Sequence, residues 1–247
     1  MPAESEHGID LHWLPLGAGG HSVRLNGRVF EAVAARLERR PPCDLYHSAL
    51  QVRVPDGRFV IEQAPVRDSN GGERGVVAEG AVGSRWAGRF RTFRYEVRCW
   101  RGGVIPDLDE AVESPQRLTD DPDLAQRVLD LTPHAPTAVW GRDELAAGEM
   151  WNSNSVISWL IASSGLDAGT IHPPAGGRAP GWHAGLVVAR RQETLPYLIG
   201  RASVVGGTAA PTSNLEVTPG LRRGFFRSDI PQAPRGDQGR RSVGSGG

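Results

Sequence analysis

Lysine is missing from this chain of 247 residues, so its 28 positive charges are all arginine, set against 28 acidic groups. That balance removes any global field drawing the chain to nucleic acid or to an anionic membrane. The missing lysine reads as the codon bias of a GC-rich genome. Cysteine is nearly missing too: Cys43 and Cys99 are too few for a disulfide scaffold, and their spacing fits no zinc motif. A reduced, cytoplasmic protein is the expectation. No apolar run is long enough to span a bilayer, and the polar, acidic start from Met1 to Asp10 has no signal-peptide pattern, so the chain reads as soluble. His12, His21, His134, His172 and His183 show neither i,i+4 pairing nor a nearby carboxylate, so neither metal nor cofactor is expected. The glycine-rich run Gly17–His21 lacks both the Lys-Ser/Thr ending of a phosphate loop and the dinucleotide fingerprint; it reads as a turn.

What is present alternates between strand and helix signals. Val23 and Leu25 form a short alternation. Phe30, Val33, Ala34 and Leu37 share a helical face capped by Asn26 and ended by Pro41-Pro42. From Tyr46 the pattern turns to strand. Ala49–Val54 and Arg58–Ala64 flank the turn Pro55-Asp56-Gly57. Residues 67–89 read as a long irregular loop. Phe93, Tyr95, Val97 and Cys99 then alternate with Arg94, Glu96 and Arg98, a half-buried strand with a solvated arginine face. Thr119-Asp120-Asp121-Pro122 starts a helix buried through Leu124, Val128 and Leu131. A last strand is expected at Leu186–Ala189. Beyond Gln192 glycine, proline and serine dominate, and we expect a folded domain over 1–191 and a largely disordered tail over 192–247. Antiparallel strands with few helices make the body α+β.

The chemistry centres on Asn152-Ser153-Asn154-Ser155. An apolar pattern at Val156, Ile157, Leu160 and Ile161 follows it, stopped by Gly165, so the polar run opens a helix. Serine or asparagine there caps the helix. The unpaired N–H groups of a helix start also suit a nucleophile or an oxyanion. His47 begins a strand, and Glu62 and Gln63 lie on the other arm of its hairpin.

His47-Ser48-Ala49-Leu50, Asp56-Gly57 and Val60-Ile61-Glu62-Gln63-Ala64-Pro65 resemble the first hairpin of the lecithin:retinol acyltransferase-like enzymes. These form a circularly permuted branch of the NlpC-type, papain-like superfamily. Asn152-Ser153-Asn154-Ser155 resembles that branch's nucleophile motif, with serine replacing the usual cysteine. The likeness spans residues 45–65 and 150–165. It implies a papain-like antiparallel sheet packed against helices and a hydrolase or acyltransferase acting on an amide, peptide or acyl ester. Ser153 would attack with His47 as general base, since serine does not ionise as cysteine does. Asn152 or the Ser153 amide would hold the oxyanion. Motif alignment makes Glu62 the orienting residue. Strand parity, with Val54 opposite Arg58, instead puts Gln63 on the face of His47. The missing cysteine equally fits an inactive relative that uses the same cleft for binding or as an accessory protein. The tryptophans are of a kind more often found in a core and less often walling a cleft, and the loop Arg178–Trp182 is a candidate to close over one.

Overall fold

The structure is a computed structural model that describes residues 7–16, 31, 35–36, 39–66 and 75–205, with 195–205 as helical backbone. It opens on a strand that the polar start of the chain conceals: β1, Gly8–Pro15. There Ile9, Leu11 and Trp13 point to one side, and Asp10, His12 and Leu14 to the other. The expected hairpin follows as β2, Tyr46–Val54, and β3, Gly57–Pro65. Residues 67–89, read as irregular, contain β4 at Val76–Ala81. Next come β5, Arg94–Arg101, and the short β6, Gln116–Thr119. The six strands form one sheet in the order β4-β5-β3-β2-β1-β6, and every pair is antiparallel.

The hairpin turn is one residue shorter than expected. Val54 pairs with Gly57 and Leu50 with Ile61, so Val54 does not face Arg58. Because strand side chains alternate, that single step reverses the expected parity. Glu62 lies on the His47 side of the sheet, and Gln63 lies on the other.

One face of the sheet is apolar and carries the helices. Leu50, Val52, Ile61, Tyr95 and Val97 pack there with the main core. Helix α1, Pro122–Leu131, is capped by Asp121, whose carboxylate accepts from Asp123 and Leu124 N–H. Helix α2, Ser153–Ser164, ends at Gly165, as its sequence pattern predicts. Helix α3, Trp182–Val205, replaces the strand expected at Leu186–Ala189. Four consecutive apolar residues satisfy either period; burial of Trp182, Ala184, Leu186, Val188 and Ala189 beside α2 decides for helix. It also continues through the compositional boundary at 192.

The far face is polar yet closed. Asp10, His12, Glu62, Glu96 and Arg98 are all buried, around a small apolar cluster of Leu14, Ala49, Val60 and Ile105. Arg98 bridges Glu62 and Glu96 at 2.9 Å each, and Asp10 pairs with Arg53 and Arg117. On the arginine side of β5, expected to be solvated, Glu96 and Arg98 instead belong to an internal ion network, while the Arg94 side chain stays partly exposed. The two carboxylates offset part of the cost of taking the guanidinium out of water. Phe93, expected inside, stands before β5 and is exposed.

Among the described residues no helix is long and apolar enough to cross a membrane. Glu31, Ala35 and Arg36 are helical, within the helix expected after Asn26. The Gly17–His21 turn, the Val23–Leu25 alternation and the tail after Val205 lie outside the described residues.

Candidate functional site

The start of α2 is built almost entirely from side chains of its own polar run. Asn152 is the N-cap. Its Oδ1 accepts from Ser155 N–H, and Ser155 Oγ accepts from Asn152 N–H at 3.1 Å, a reciprocal capping box. The Asn152 amide also donates to Pro180 O at 2.8 Å. Ser155 Oγ donates to Gly181 O at 2.8 Å. Gly181 has φ +85, and a Cβ there would collide with the Asn152 amide, so glycine is needed for this approach.

Asn154 reaches furthest. Its Nδ2 donates to Tyr46 O and to Pro180 O, both at 2.9 Å, and its Oδ1 accepts from Ser48 Oγ at 2.8 Å. One asparagine thus ties the helix start to β2 and to the 178–181 segment. That segment, a candidate lid by sequence, is fastened down: Gly181 N–H also donates to Glu149, and Arg178 O accepts from Tyr46 N–H. Trp182 packs 5.1 Å from Trp13 inside the core, the commoner of the two places expected for the tryptophans.

Ser153 is the exception. It is buried at the first turn, and none of these bonds uses its hydroxyl. Among the described residues no hydrogen bond joins it to His47. Alternation along β2 explains this. Ser48 faces α2 and bonds Asn154, so its neighbour His47 points to the far face, opposite Leu14. The expected Ser153–His47 pairing is not assembled. His47 has Asp107 as its electrostatic neighbour, and although its surface is only half-buried, dense packing pushes its pKa down to about 4. The imidazole is neutral near pH 7.

The orienting candidates separate. Glu62 shares the far face with His47 but gives its carboxylate to Arg98. Gln63 lies on the helix face opposite Val97, buried, with no hydrogen-bond partner for either amide atom among the described residues. His12, two positions along β1 from the partner of His47, is buried with both ring nitrogens unbonded; burial lowers its pKa against the pull of Asp10. Asn152 gives one of the two N–H groups of its amide to Pro180 O. Sequence reading missed Ser48 and Asn154, although strand parity at Ser48 was the available signal. Among the described residues no group of three or more His, Cys, Asp or Glu could hold a metal ion.

The chain matches no family model, no curated protein and no solved structure.

Proposed function

We propose that this α+β chain is a papain-like domain of permuted order that binds a peptide, acyl or small-molecule partner without cleaving it. The observation that carries this reading is that Ser48, and not His47, faces the helix start. A serine nucleophile needs a base within about 3 Å to take its proton. An imidazole with a pKa of about 4 is also a poor base at neutral pH. The polar run that resembles a nucleophile motif is otherwise used to join α2, β2 and the 178–181 segment.

A second reading, a hydrolase or acyltransferase for an amide, peptide or acyl-ester bond, keeps one specific support. Ser153 alone in its run has an uncommitted hydroxyl, and it sits at the positive end of a 12-residue helix. Here His47 would be the base and Glu62, on its face, the orienting group. A serine-directed acylating probe separates the two. The binding reading expects no labelling of the intact protein. Labelling lost in both Ser153→Ala and His47→Ala would overturn it in favour of the enzyme.

A further inference from the structure

The segment joining β4 to β5 carries Trp86, Phe90 and Phe93, which are 63%, 49% and 49% exposed. Its backbone is closed upon itself. Phe90 N–H donates to Ala87 O and Phe93 N–H to Phe90 O, making two successive single turns at Ala87–Arg89 and Arg91–Phe93. Both ends are tied: Ala87 N–H donates to Ser84 Oγ, and Val82 N–H to Phe93 O at 2.8 Å. Gly88 lies so close to Ala81 of β4 that a Cβ would clash. Trp86 and Phe90 meet edge to face at 5.7 Å, and the Arg89 guanidinium lies 4.8 Å over the Trp86 ring. The product is a tip tied at both ends, with three aromatic rings exposed to water.

Along the segment itself charge has one sign. From Arg85 to Arg94 there are four arginines and no acidic residue. Arg85 is paired with Glu144 and Arg94 with Glu79, which leaves Arg89 and Arg91 without an ion pair among the described residues. Three rings exposing about half of roughly 150–250 Å² each offer roughly 225–375 Å² in all. That is short of the ~800 Å² per partner of a stable protein interface, yet as large as the patches that mark contact surfaces. In the cleft beside the tip, Arg85, Arg142, Asp143 and Glu144 are already bonded within this chain, so its charged groups are not offered to a partner.

We propose that the tip docks on an anionic phospholipid surface. Trp86 enters the headgroup boundary, where its amphipathic ring is favoured, Phe90 and Phe93 bury hydrocarbon beside it, and Arg89 and Arg91 meet lipid phosphates. The zero net charge of the chain does not oppose this, because the two arginines act within a Debye length of the membrane.

Sedimentation of the full chain with vesicles tests it. Binding is expected to vesicles of mixed phosphatidylcholine and phosphatidylglycerol, weakening with added salt, and not to phosphatidylcholine alone. Arg89→Ala with Arg91→Ala should weaken binding roughly tenfold or more. Trp86→Ser with Phe90→Ser and Phe93→Ser should abolish it, with circular dichroism confirming the fold; Phe90→Ser alone is the milder variant should the triple one unfold. No sedimentation of the wild type, equal binding to neutral vesicles, or variants that bind like wild type would overturn the proposal. So would self-association in solution that the aromatic variants remove without any vesicle binding, which assigns the tip to a protein contact.

Discussion

Asn154 divides one amide among three partners on two other segments, whereas Ser153 beside it engages none. The two therefore respond oppositely to truncation. Asn154→Ala leaves the Ser48 hydroxyl and the Tyr46 carbonyl buried without partners, each costing about 1–3 kcal/mol. Urea unfolding should show a loss of about 3 kcal/mol. Ser153→Ala removes a hydroxyl with no bond to lose and should stay within about 0.5 kcal/mol of wild type. Equal losses in the two variants would mean that the run acts as a generic cap, contrary to the bonding described. If Ser153→Ala instead removed an activity while leaving stability intact, the enzymatic reading would gain.

Helices α2 and α3 approach closely at Gly185. A Cβ there would press into Ser158 Oγ, the Ser155 carbonyl and the Trp159 backbone. Ser158 Oγ donates to Trp182 O at 2.7 Å across the same contact. Two backbones this near leave no side chain to yield, so Gly185→Ala must separate the helices. We expect a destabilisation of at least about 2 kcal/mol, read as a lower melting temperature. A variant melting with wild type would show that the helices slide apart freely. The contact also explains why the apolar run of α3 resists reading from sequence. Gly185, Val187 and Val188 weaken local helix propensity, and only the neighbouring helix restores it.

Across the molecule, the sheet divides two kinds of interior. The helix face holds hydrocarbon, and the far face holds His12, His47 and the Glu62–Arg98–Glu96 network near Asp10. His47 is depressed from 6.5 to about 4, chiefly by burial, and His12 is depressed in the same direction. A histidine held neutral in the fold takes up its proton more readily in the unfolded chain. Its contribution is thus fully present above pH 6.5 and is lost as pH falls from 6.5 towards about 4. The slope is at most about 1.4 kcal/mol per pH unit for each imidazole. Denaturant midpoints compared between about pH 7 and pH 5 should fall less for His47→Gln than for wild type; identical shifts would show that His47 titrates alike in the two states.

Local signals sufficed wherever an element carried its own reason to form. Pro55-Asp56-Gly57 turned the chain into the β2–β3 hairpin, Asp121-Pro122 opened α1, and Asn152 and Gly165 bounded α2. These are caps and turns, satisfied by neighbours in sequence. The α+β class was legible from them. β1 and β4 were not, because the polar residues on them are matched by partners distant in sequence: Asp10 by Arg53 and Arg117, and Glu79 by Arg94. The candidate site shows the same division. Its residue types and the capping role of Asn152 could be read from the chain. Which face His47 occupies could not, since one residue of turn length sets the β2–β3 register and with it the sides of Glu62 and Gln63, while the bond from Ser48 to Asn154 fixes the side of His47. Tertiary contacts alone decide such parities, because either register satisfies the backbone locally and only the burial of one face distinguishes them.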